Sequence, residues 1–99
     1  MTPALLAVPV EIRALDAGPG VERVFRLAHS IAEDALRLAR EIPLEPGRAV
    51  RILLTLPEDD APIVARGRIE KPDLVSLREL EGDAKERIAR YVRERNLLP

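Results

Sequence analysis

Hydrophobic and polar residues alternate along most of the chain, and the places where the alternation breaks define its elements. In VPVEIRA, Val8, Val10, Ile12 and Ala14 take every second position against Pro9, Glu11 and Arg13, which is the period of a half-buried strand. Gly18-Pro19-Gly20 cannot extend it and reads as a loop. In RAVRILLTLP, bounded by Pro46-Gly47 and Pro57, one face carries Val50, Ile52, Leu54 and Leu56 and the other Arg51 and Thr55. Glu58-Asp59-Asp60 then makes an acidic tip. Beyond it IVARGRIE sets Ile63, Ala65 and Ile69 against Val64, Arg66 and Arg68, so the two strands form a hairpin. Gly67 stands on the inward parity, where a missing side chain marks a bulge, a bend or a close backbone neighbour. After Lys71-Pro72, LVSLREL offers a shorter strand. Gly82 then introduces a helix that Asp83 caps, with Glu86 three residues on, and Ala84, Ile88, Tyr91 and Val92 form its apolar stripe. Asp83 with Arg87 and Glu86 with Arg90 are spaced for attraction along that helix.

Residues 24–42 support two assignments. Val24, Leu27, Ile31, Ala35, Leu38 and Ile42 follow a three-four spacing, and Glu33 is placed to pair with Arg37, which describes a helix. The same stretch also alternates: Phe25, Leu27, His29 and Ile31 share one parity, and Leu36 and Leu38 share another after AEDA. This second pattern describes two strands joined by a turn, with Phe25, Leu27, Ile31, Leu36 and Leu38 facing inward. On the helix assignment, Val24 and Ala35 join the buried set instead.

The order of the elements favours the strands. The run SIAEDALRLAREIPLEPGRAVRILLTLPEDDAPIVARGRI resembles the PilZ family, in which a strand leads to a DxSxxG turn, a short strand, a Pro-Gly turn and a hairpin. LVSLRELEGDAKERIARYV is similar to that family's last strand and closing helix. The resemblance covers roughly residues 8–93, and its most specific parts are the order and spacing of LRL, LEPG, LTLP and GRI. It implies a mainly β fold: a six-stranded antiparallel PilZ-like β-barrel with a C-terminal α-helix, one domain over residues 1–99.

Many PilZ domains bind the bacterial second messenger cyclic di-GMP through an RxxxR arginine pair ahead of the first strand and through the DxSxxG turn. Arginine's planar fork grips phosphate and stacks on guanine, Asp accepts from the guanine edge, Ser adds a hydrogen bond and Gly permits close approach. Aligned on DALRL, Ser30 stands at the Asp position, Ala32 at the Ser position and Ala35 at the Gly position. MTPALLA carries no arginine, and the first one, Arg13, already lies in a strand. Each lost charge-assisted contact removes about 1.5–3 kcal/mol, so no cofactor is expected. Cyclic di-GMP would be held only if Arg66, Arg68 or a partner's arginine substituted.

Composition narrows the remaining classes. With 46% hydrophobic and 33% charged residues over 99 positions, one core is expected. Sixteen basic against seventeen acidic side chains give a net charge of −1, so no overall field recruits nucleic acid or an anionic membrane. The lack of cysteine removes disulfides and thiolate chemistry. MTPALLAVPV has neither a basic leader region nor a spanning length, so no membrane insertion and a cytoplasmic location are expected. His29, the one histidine, has no ligand set around it and is expected partly buried at a barrel end. Its neighbour Ser30 would point to the opposite face, which leaves no nucleophile-base pair and predicts no enzyme. Glu58, Asp59 and Asp60 lack the spacing and glycine of a calcium loop.

Arg87, Arg90, Arg93 and Arg95 line one helix, but Asp83, Glu86 and Glu94 dilute them. Phe25 and Tyr91 alone give no stacking platform for nucleic acid. Leu5-Leu6 and Leu97-Leu98-Pro99 suggest a homo-oligomer or partner contact at the ends. The resulting expectation is a non-catalytic regulatory, protein-interaction module of bacterial cyclic di-GMP or motility signalling. Its partner would meet Arg87, Arg90, Arg93 and Glu94 together with the turn around Ala32 to Ala35. The alternatives are a cyclic di-GMP receptor with non-standard contacts and an unrelated α+β oligomerisation or adaptor domain.

Overall fold

The computed structural model describes residues 3–15, 23–57 and 59–97. The expected loop at Gly18-Pro19-Gly20, Glu58 of the acidic tip and Leu98-Pro99 lie outside the described residues. Among the described residues seven strands are followed by one helix: β1 (Ala4–Leu5), β2 (Pro9–Ala14), β3 (Arg23–Ile31), β4 (Ala35–Leu38), β5 (Ala49–Leu54), β6 (Ile63–Lys71), β7 (Leu74–Leu80) and α1 (Ala84–Leu97). All pairings are antiparallel. They run β3-β2-β5-β6-β7-β4, and β4 pairs back to β3, so six strands close a barrel. Two-residue β1 lies outside the ring, on the end of β3.

Residues 24–42 are therefore two strands. Extended chain wins over the local helical spacing because β3 pairs along its length, with β2 over residues 23–27 and with β4 and β1 beyond them, and the barrel then buries one face of the segment. The chain reverses in a tight turn in which the Ala32 amide donates to the Ala35 carbonyl at 2.8 Å.

The expected orientation of β3 needs correction. Phe25 and Leu27 are 59% and 55% exposed, whereas Val24, Ala28 and Ile31 are buried. The cause is a bulge: Ala28 faces Leu38 while Ser30 faces Arg37, so His29 is an extra residue on β3 and the inward parity shifts across it. His29 is accordingly exposed rather than partly buried, and its carbonyl accepts the Leu6 amide at 2.9 Å. Leu6, expected in an exposed tail, is buried, while its neighbour Leu5 remains exposed.

The other strands follow their alternation. Val10, Ile12 and Ala14, Val50, Ile52, Leu54 and Leu56, and Ile63, Ala65 and Ile69 all face the core. Among the described residues that core holds no buried polar or charged side chain. Gly67 is buried as well, and β7 carries an irregularity opposite it, between the Arg66 and Gly67 pairings. A Cβ at Gly67 would lie 2.1 Å from the Ser76 carbonyl oxygen, so only glycine lets β6 and β7 approach at this point. Helix α1 buries Ala84, Ile88 and Val92 against the barrel. No helix among the described residues is long and apolar enough to cross a membrane.

Candidate functional site

The turn between β3 and β4 forms one wall of an open groove of 440 Å³. Ala32, Glu33 and Asp34 face Leu77, Arg78 and Leu80 of β7 and Lys85 of α1 across it. The turn is fixed by its own backbone and by its neighbour, since the Leu77 amide donates to the Asp34 carbonyl at 2.9 Å. Ser30, Ala32 and Ala35 are half-buried around this bend. The structure thus brings the three aligned positions together, with a carboxylate pair, Glu33 and Asp34, beside them.

Arg68 and Arg66 are exposed on β6. Arg68 faces Ser76 of β7, which faces Ala35 of β4, so Arg68 sits two strands, or about 10 Å, from the turn. Arg66 is further along β6, opposite Arg51. The nearest basic groups in the groove are instead Arg78 and Lys85, which the sequence pattern did not single out. Arg78 is partly committed: it donates to Glu70 at 3.1 Å and to the Ser76 hydroxyl at 3.1 Å. Glu70 is held below the usual carboxylate range first by the Ser76 hydroxyl and then by Arg78.

The helix candidates line a different groove. Arg87, Arg90 and Glu94, with Tyr91 and Asp83, face Leu56, Pro57, Asp59 and Ala61 of the β5–β6 connection across 520 Å³. Arg87 is turned into this contact, its side chain only 14% exposed. Its Nε and Nη2 donate to one Asp59 carboxylate oxygen at 3.0 and 2.6 Å, Nη2 also reaches the Ala61 carbonyl, and Asp83 lies 3.7 Å from Nη1. Arg87 therefore ties the helix to the hairpin tip, while Arg90, Arg93 and Glu94 are exposed. The helix is anchored a second time by Tyr91, whose hydroxyl donates to the Leu5 carbonyl at 2.9 Å, with Arg95 stacked over the ring at 5.1 Å.

Hydrogen bonding from Arg87 holds the Asp59 carboxyl below its ordinary value. A depressed folded pKa contributes stability that is present above the unfolded aspartate value, about 3.9, and is lost as pH falls through the lower folded value. The thermal-melting advantage of the wild type over Asp59→Asn is accordingly expected at pH 7 and should shrink toward zero as pH falls below about 4. A difference that persists unchanged near pH 2 would assign the loss to shape rather than charge.

Among the described residues no group of three or more histidines or carboxylates is placed to hold a metal. No protein-family model matches the chain, and no curated protein matches it. Among solved structures, that of the Bacillus subtilis inhibitor of motility MotI/DgrA superposes with a TM-score of 0.71 over 98% of this chain, at 13% sequence identity. The chain spans 51% of that one, about half its length. What the two share is the fold, a six-stranded antiparallel PilZ-like barrel with a C-terminal helix.

Proposed function

We propose that this chain is a non-catalytic regulatory module of bacterial cyclic di-GMP or motility signalling that acts through protein contacts and does not grip the nucleotide itself. The observation that carries this reading is the β3–β4 turn. By the resemblance to PilZ domains, this turn is where a DxSxxG motif would lie, with Ser30, Ala32 and Ala35 in place of its Asp, Ser and Gly. Ser30 offers no fixed charge to a guanine edge, Ala32 no hydroxyl, and Ala35 carries a Cβ where close approach is needed. Glu33 and Asp34 add like charge toward a phosphate ligand, and Arg37 beside them is engaged by Asp73 at 3.2 Å. The fold neighbour is by name an inhibitor of motility, which supports a regulatory role over a catalytic one. Exposed Arg90, Arg93 and Glu94 on α1 and the groove at Ala32–Ala35 are the surfaces offered to a partner. Calorimetric titration of the purified chain with cyclic di-GMP is the test, and no saturable heat is expected.

A further inference from the structure

We propose that the outer face of β3, β2, β5 and β6 docks an acidic amphipathic helix of a protein partner, its carboxylates meeting a row of four arginines and its apolar side meeting Phe25, Leu53 and Val64. The row follows from the strand register. Arg23 faces Arg13, Arg13 faces Arg51, and Arg51 faces Arg66, one arginine on each of four adjacent strands. Residues directly opposite on an antiparallel pair project to the same side. The buried neighbours Val24, Ile12, Val50, Ile52 and Ala65 show that this side is the exterior.

Like charges placed opposite each other destabilise a sheet, and here three successive contacts are of that kind. Glu11 relieves one end, lying 3.3 Å from Arg23. Arg13, Arg51 and Arg66 make no ion pair among the described residues, although Glu79 stands in register with Arg66 from β7. Two residues along the strands, about 7 Å away, runs a second line in register: Phe25, Glu11, Leu53 and Val64. Phe25 is 59% exposed and half-buried Leu53 and Val64 continue its line, so apart from Glu11, which is tied to Arg23, the flank of the positive row is apolar; Leu27, 55% exposed, extends the apolar surface along β3 away from the row.

Two facts select the occupant. Adjacent strands lie about 4.8 Å apart and a helix advances about 5.4 Å per turn, so carboxylates on successive turns of a helix crossing the strands meet successive arginines. Barrel strands tilt by about 35–45°, so the row climbs the barrel obliquely rather than ringing it. A nucleic-acid strand would need a line of stacking aromatics, and this face presents Phe25 alone. A second copy of α1 would bring Arg90, Arg93 and Arg95 with only Glu86 and Glu94 among them, a face of the same net sign as the row.

The test uses the full chain and a fluorescent synthetic helical peptide with glutamates at one-turn intervals beside a leucine stripe. Controls are a scrambled peptide of the same composition, a short DNA duplex and phosphatidylserine vesicles. The ordered peptide is expected to bind about ten-fold or more tightly than the scrambled one, with affinity falling as salt rises. Arg51→Glu should lose about ten-fold or more of that binding while melting at the same or a higher temperature, because the new carboxylate sits between Arg13 and Arg66. Arg66→Gln, which creates no charge reversal, should weaken binding less and in the same direction. Equal binding of the two peptides, unchanged binding by Arg51→Glu, tighter binding of DNA or vesicles than of the ordered peptide, or association only between copies of the chain would each overturn the proposal.

Discussion

Gly67→Ala is expected to destabilise the barrel by about 3 kcal/mol, the upper end of what overpacking does in a well-packed interior. The added Cβ would lie 2.1 Å from the Ser76 carbonyl oxygen and 3.2 Å from both the Ser76 carbonyl carbon and a Val75 methyl. The first of these neighbours is backbone and cannot rotate away. Relief therefore requires β6 and β7 to separate where their register already shifts. For a chain of this size the loss corresponds to a melting-temperature drop on the order of 10–20 °C, readable by denaturant and thermal unfolding. Gly47→Ala is the control. Gly47 has a positive φ of 92° but open space around its Cβ position, so the penalty is conformational only, about 1 kcal/mol. Equal losses at the two glycines would contradict the packing drawn for β6 and β7.

A comparable loss is expected from Leu36→Ala, about 2–5 kcal/mol, because Leu36 is fully buried on β4 and its truncation leaves a cavity lined by apolar neighbours. Phe25→Ala, although it removes the larger side chain, should change stability by only about 0.5 kcal/mol, since Phe25 lies on the outer face. With Leu36→Ala as the buried reference, Phe25→Ala measures the direction in which β3 faces. A loss at Phe25 as large as that at Leu36 would mean that β3 presents its other side to the core.

That direction is also where sequence reasoning met its limit. Strands β2, β5 and β6 were legible because each keeps one parity from end to end, and turn residues such as Pro46-Gly47 and Pro57 bracket β5. Gly67 could be read as a tight spot from its parity alone. In β3 the bulge at His29 inserts one residue, so the buried positions run Val24, Ala28, Ile31, spaced four and three apart. This is the spacing of a helical stripe, and it explains why residues 24–42 imitate a helix. A single-parity reading fails for the same reason, placing Phe25 and Leu27 inside. The overall order of elements still pointed to the barrel, because turn signals and strand lengths are set over a longer range than one bulge can disturb.

The candidate site divides in the same way. The aligned positions Ser30, Ala32 and Ala35 could be located in the sequence, since they depend on spacing from a turn. Lys85 and Arg78 in the groove, the Arg87–Asp59 tie and the arginine row could not, because each requires knowing which strands are neighbours. Arg87 illustrates the difference: its helical position suggests a solvent-facing charge, yet the acidic tip of a distant hairpin folds against it.

The proposed function requires that this barrel does not hold cyclic di-GMP at the β3–β4 turn. Titrating cyclic di-GMP into the chain at about 100 μM tests it, a concentration at which even weak binding gives heat. Only heats of dilution are predicted, for the wild type and for an Arg68→Ala variant alike. A saturable isotherm with a micromolar or tighter dissociation constant, diminished in Arg68→Ala, would show that the messenger is still gripped through other contacts and would contradict the claim.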